Sequence, residues 1–213
     1  MIRISVDTRD IFRELPERAE KEMVKLVNEA LKIASARTKV RAQGIFFDKL
    51  ADSYGLYQLL GIVAGEAGAF FGVLPQEVNA VVLFVSGLLN VRVIRPYAKK
   101  AGGIYVELMP GESFDRAIEH SAASFISTNG FLRRWLRDVL YSGGDFQANI
   151  MPFYGAYPTS RTGQTIMVNT MKHNWPIPII EGGKEGDNWI TRSAIACLPE
   201  ISNILKEEMV KVF

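Results

Sequence analysis

Hydrophobic and polar residues change rhythm several times along the chain, and each change marks an element. Residues 2–6 alternate and include β-branched side chains, which predicts a short strand. Asp7, Thr8 and Asp10 then form a polar turn. From Pro16 the spacing becomes helical. Ala19, Met23, Leu26, Val27, Ala30, Leu31 and Ala34 recur at intervals of three and four on one face, with Arg18, Lys21, Lys25 and Lys32 on the other. Pro16 suits a first helical turn, where its missing N–H costs nothing. The helix is expected to continue towards Asp52, with Gly44 as a candidate break.

Two apolar helices are predicted next, over about 57–71 and 75–90. Val91, Val93 and Ile94 read as a strand ended by Pro96, and Ile104, Val106 and Leu108 as its antiparallel partner. A helix is expected over 115–126. Asn129 would cap another, with Phe131, Leu132, Trp135, Leu136, Val139 and Leu140 as its stripe and Gly143-Gly144 at its end. Residues 146–157 and 165–171 read as strands joined by the polar turn 158–163. After a Pro- and Gly-rich loop, Asn188 opens a terminal helix in which Leu198, Ile201, Leu205, Met209 and Val212 share one side. Pro199 falls inside it and predicts a kink or restart. The fold class is therefore α+β: a small, mostly antiparallel sheet packed by a long N-terminal helix and a C-terminal helix.

Residues 54–94 form the most apolar section, with Glu66, Glu77 and Arg92 as its only charges. A membrane span needs about 20 continuous apolar residues, and Glu66 and Pro75 interrupt this stretch. Its spacings Gly61/Gly65 and Gly68/Gly72 allow helices to pack closely. The favoured reading is one domain over 1–213, with 54–94 as a helical insertion or subunit-packing section. A membrane-associated hydrophobic hairpin is the alternative.

Composition narrows the function classes. At 213 residues, with 48% hydrophobic and 23% charged residues, the chain has the make-up of an ordinary globular protein. A formal charge of +2 gives no reason to expect strong nucleic-acid binding. The N-terminal residues are too polar to read as a signal peptide. Cys197 is the one cysteine, so no intrachain disulfide forms, and its place in the terminal helix fits a core residue better than an activated nucleophile. Two histidines and one cysteine, far apart, offer no zinc-ligand spacing, and no phosphate-cradling or dinucleotide motif is present. Neither cofactor nor metal is expected. Glu119-His120 is the one pair suited to acid–base work, and it keeps an unrecognised hydrolase open as a further alternative.

The last third carries an ordered series of motifs. They are Phe131-Leu132-Arg133-Arg134-Trp135-Leu136-Arg137, Gly144-Asp145, Ser160-Arg161-Thr162-Gly163-Gln164-Thr165-Ile166-Met167, Trp175-Pro176-Ile177-Pro178 and Asp187-Asn188-Trp189-Ile190-Thr191-Arg192. In this order they resemble small virion structural proteins of tailed bacteriophages, of the tail completion, neck or tail terminator type. The motifs cover roughly 125–195, and the N-terminal part is similar only in plan.

The resemblance implies a non-enzymatic homo-oligomeric ring, a hexamer by analogy, at the head–tail junction or tail end. The ring would contact neighbouring neck, tail tube or sheath proteins, and no membrane. It would be assembled in the host cytoplasm and reside in the virion. Arg161, Trp175, Trp189 and Arg192 are then the expected subunit or partner contacts, because Trp and Arg are enriched at interface anchors. Arg92, Arg95, Lys99 and Lys100 otherwise read as a solvated run. In a ring they are candidates to line a channel for passing DNA.

Overall fold

The computed structural model describes residues 2–5, 17–61, 68, 71–96, 102–108, 113–127, 130–142, 147–148, 150–154, 160–161, 163, 165–169, 175–176, 183–184 and 186–212. Helix α1, Glu17–Ala51, runs unbroken for 35 residues, about 52 Å at 1.5 Å per residue. Gly44 does not interrupt it. Ala42, Phe46 and Leu50 on either side are buried and hold the helix to the core. Ser53 both closes α1 and opens α2, Tyr54–Leu60. Its Oγ donates to the Leu50 carbonyl at 2.7 Å and accepts the Leu56 N–H at 3.3 Å. Gly55 in α2 lies so close to Trp189 that an added Cβ would come within 2.9 Å of that side chain.

Helix α3, Pro75–Gly87, begins with proline in its first turn, and Glu77 accepts the Leu74 N–H at 2.9 Å. Val78, Val81, Val82 and Val85 form its buried face, packed on α1. Residues 54–94, expected as a helical insertion or subunit-packing section, contribute to both interior and surface, with Tyr54, Tyr57, Leu83 and Ile94 exposed. Leu56, Leu59, Val73 and the α3 valines are part of the protein's own core. The helix expected over 57–71 is interrupted: α2 ends at Leu60, Gly61 is extended, and Gly68 and Phe71 are helical again, while the Gly61/Gly65 spacing lies partly outside the described residues. No helix among the described residues is long and apolar enough to cross a membrane.

The sheet has three antiparallel strands in the order β1-β3-β2: β1 Ile2–Ser5, β2 Asn90–Ile94 and β3 Gly103–Leu108. The expected hairpin is present, with Val91 opposite Val106 and Val93 opposite Ile104. Ile104, Val106 and Leu108 alternate onto one buried face of the central strand, as period-two geometry requires.

The next section departs from expectation. Helix α4 spans only Ser113–Glu119, because His120 accepts the Ala122 N–H and starts a 3-10 turn, Ser121–Ala123. A hairpin follows, with β4 Phe125–Ile126 paired to β5 Leu132–Arg133. Its turn is held by the Ser127 N–H on the Phe131 carbonyl and by Gly130 at φ 78°. Phe131 and Leu132 therefore stand outside the helix that their spacing predicted. That helix begins only at Trp135, as α5, Trp135–Arg137, continuing into a π-turn, Asp138–Ser142. Asn129, the expected cap, lies outside the described residues.

Strands β6 Gln147–Ala148 and β9 Trp175–Pro176 pair, and β7 Ile150–Tyr154 pairs with β8 Thr165–Asn169 in the expected hairpin. A short hairpin of β10 Gly183–Lys184 and β11 Asp187–Asn188 leads to α6, Trp189–Ala196. Asn188 caps α6: its Oδ1 accepts the N–H groups of Ile190 and Thr191, both at 3.1 Å, while its own N–H donates to Thr191 Oγ1 at 2.8 Å. The chain restarts at Pro199 as expected, giving α7, Leu198–Val210. This helix lies antiparallel to α1 and buries Ile201, Leu205 and Met209.

Candidate functional site

Most of the ionisable side chains with partners are occupied by holding the fold together. Arg161 spans from the hairpin turn to the start of α3. Its guanidinium donates to the Gly72 carbonyl and to Glu77 Oε2, both at 2.9 Å, makes a second, shorter contact to Glu77 Oε1, and lies 4.0 Å from the centre of the Phe125 ring. It clamps the turn to α3 inside the chain while remaining exposed at the surface.

Trp189 also belongs to the interior. Its ring is buried against Gly55, which corrects the expectation that it anchors a neighbouring subunit. Arg192 is exposed on α6, 3.7 Å from Asp187. The Trp175 backbone pairs in β9, and its side chain lies outside the described residues. Arg92 is exposed on β2, an edge strand, and Arg95 is exposed just beyond it; Lys99 and Lys100 lie outside the described residues.

The acid–base pair fares similarly. His120 uses Nδ1 to accept the Ala122 N–H at 3.2 Å and stacks on Phe84 with ring centroids 4.6 Å apart, so the ring caps a turn. The Cys197 thiol donates to the Ser193 carbonyl at 3.0 Å, and burial pushes its pKa up to about 12. A thiol in that state is a packing group, not a nucleophile. Among the described residues no group of three His, Cys, Asp or Glu side chains could hold a metal ion.

Between α1 and α7 runs an ion-pair network. Glu208 is buried, yet it accepts from Arg41 at 2.7 Å and from Lys211 at 2.8 Å, with Arg37 at 3.9 Å. The Lys211 and Arg41 hydrogen bonds together outweigh burial and hold its carboxyl below the usual glutamate range. Arg41 also binds Glu207 at 2.8 Å, and Lys49 binds Glu200 at 2.7 Å. Beside this network lies an open groove of about 450 Å³, lined by charges of both signs, Arg41 with Asp48, Glu200 and Glu207, beside Gly44, Ile45 and Ile204.

What sequence reasoning missed is the amount of apolar surface turned outward. Leu26 belongs not to the buried face of α1 but to an exposed row with Ile33, Val40 and Phe47. These four stand seven residues apart, nearly two helical turns, and so form a stripe on the side of α1 away from the core. A second patch sits on the β4–β5 hairpin, where Ile126, Phe131 and Leu132 are 70%, 68% and 57% exposed. The side chains of Arg133, Arg134 and Arg137, which follow in the chain, are exposed too. Asp138 sits beside Arg133 and Arg137, and burial raises its pKa against their opposing charge.

No family model matches the chain, and neither the curated proteins nor the solved structures contain a match to it.

Proposed function

We propose that this chain is a non-enzymatic structural protein of a tailed-bacteriophage virion, assembling as a ring at the head–tail junction or tail end. The virion assignment draws support from the ordered motif series over roughly 125–195. One observation on the molecule carries the assembly part: large apolar side chains stand exposed on the β4–β5 hairpin and along α1, opposite a complete core. Self-association removes such surface from water.

In this reading the ring has six copies, as the resemblance implies, and its faces meet neck, tube or sheath proteins. Arg92 and Arg95, exposed at the sheet edge, face passing DNA and contact it without sequence preference. The occupied Nδ1 of His120 argues against a hydrolase built on Glu119-His120. Two measurements test the proposal together: peptide mass spectrometry of purified virions, and electron microscopy of the isolated chain. The chain is expected in the particle at a few copies, and as closed rings when pure. Its absence from virions contradicts the assignment.

A further inference from the structure

Two rhythms run along α1. Its core side is set by Val27, Ala30, Leu31 and Ala34 at intervals of three and four, while the exposed Leu26, Ile33, Val40 and Phe47 keep strict intervals of seven over about 32 Å. A helix repeats every 3.6 residues, so a row kept at sevens stays in register with a partner helix that winds around it left-handedly. Ala36 and Gln43 stand three residues beyond Ile33 and Val40, where the second row of such a seam falls, and neither carries a charge. The apolar row is one side chain wide. That suits another helix, and is narrower than the apolar face of about 100° or more that a helix buries in a broad apolar phase.

Charge narrows the choice of helix. Residues 30–47 hold Lys32, Arg37, Lys39 and Arg41 and no aspartate or glutamate. Arg37 and Arg41 turn to Glu207 and Glu208 of α7. Lys32 and Lys39, each just before a residue of the row, are exposed on its other flank and make no ion pair among the described residues. Glu22 and Glu29 stand to either side of Leu26 in the chain, so the basic part of the seam begins at Lys32.

We infer that this face of α1 docks an amphipathic helix of a different protein, one that carries carboxylates beside its own apolar seam. The inference rests on the reading of the chain as an assembly protein and names the partner class of one surface, leaving the hairpin for contacts between copies. Charge disfavours a second α1 in either direction. Parallel pairing sets Lys32 against Arg37 of the other copy, and antiparallel pairing sets the lysine row against itself. The carboxylates of α7 do not serve from a second copy, because Glu200, Glu207 and Glu208 are each held within the chain. Glutamates on an incoming helix meet Lys32 and Lys39 as flanking charges do in helix pairs, where they set partner and direction. Nucleic acid would use the same lysines and leave the apolar row in water. Gly44, with nothing within 4 Å of where its Cβ would stand, keeps the approach open between Val40 and Phe47.

The test presents the full-length chain with two labelled four-heptad peptides, identical in their leucine seam and carrying either glutamate or lysine at every flanking position. Like charges keep each peptide from pairing with itself. In fluorescence anisotropy at low salt the chain is expected to bind the glutamate peptide on the order of tenfold or more tightly than the lysine peptide, with the preference shrinking as salt rises. Lys32→Glu with Lys39→Glu should invert that order. Ile33→Ser with Val40→Ser should lose both peptides. All four positions are exposed, and far-UV circular dichroism checks that each variant folds. Equal affinity for the two peptides, or a preference that survives the charge reversal, overturns the inference. So does binding of duplex DNA or of phosphatidylserine vesicles with neither peptide bound. A wild type that oligomerises but ignores the glutamate peptide removes this inference and keeps the assembly reading. One that binds the peptide and stays monomeric keeps this inference and removes self-assembly.

Discussion

Trp135 and Trp189 are each 1% exposed, yet their indole N–H groups differ. That of Trp135 donates to the Ala122 carbonyl at 2.8 Å; that of Trp189 has no acceptor among the described residues. Replacing each with phenylalanine removes a similar amount of buried ring, so the transfer and cavity losses largely cancel between the two variants. The hydrogen-bond terms do not cancel. Trp135→Phe leaves the Ala122 carbonyl without its donor, whereas Trp189→Phe removes a donor that was already unsatisfied. The difference is expected to be about 1–3 kcal/mol, with Trp135→Phe the more damaging. At an m-value of about 2 kcal/mol/M this separates the urea midpoints by roughly 1 M. Far-UV circular dichroism at one fixed protein concentration measures it, since assembly shifts apparent stability by mass action. Equal midpoints, or the reverse order, refute this hydrogen-bond accounting. A Trp189→Phe variant that kept full stability but lost assembly would restore Trp189 as a contact.

The remaining predictions concern single groups. Hydrogen bonds from Lys211 and Arg41 lower the Glu208 carboxyl below its ordinary 4.5, so its stabilising contribution is complete above that pH and is lost as pH falls through the folded value. Glu208→Gln should therefore lower the Tm at neutral pH and flatten its decline in acid, and an unchanged slope of Tm against pH contradicts the pairing. Cys197, at about 12, holds on the order of a thousandfold less thiolate at neutral pH than an unperturbed thiol. It should resist thiol reagents until denaturant is added, and rapid labelling of the native chain would show that α6 and α7 open there. Gly44→Ala, at an exposed helix-interior site with open space for the new methyl, should stabilise the chain by about 0.5–1 kcal/mol in urea titration.

The parts of the fold that were legible in the sequence are those set by neighbours in the chain. The β2–β3 hairpin follows from alternating Val and Ile between glycine and proline, the α6 cap from Asn188, and the restart of the last helix from Pro199. What misled were residues whose local pattern fits two structures. Phe131 and Leu132 sit at helical spacing with Trp135 and Leu136, but the Ser127 hydrogen bonds and Gly130 turn the chain there into a hairpin. Leu26 fits the inner row of α1 at intervals of three and four, while its true companions recur every seven. Tryptophan is as much a core residue as an interface residue, and the close approach of Gly55 that buries Trp189 comes from a segment over a hundred positions away. The apolar run 54–94 could not declare whether it buries against its own chain or another. Tertiary packing buries its α3 valines in one core with Leu31, Ala34 and Phe46 of α1 and leaves Tyr57 and Leu83 exposed.

Sedimentation velocity of the wild-type chain beside a Phe131→Ser, Leu132→Ser double variant tests self-assembly through exposed apolar surface most directly. The wild type is expected to sediment as an oligomer, and loss of the two exposed side chains to lower its self-affinity with far-UV circular dichroism unchanged. A wild type that stays monomeric at every concentration would contradict it.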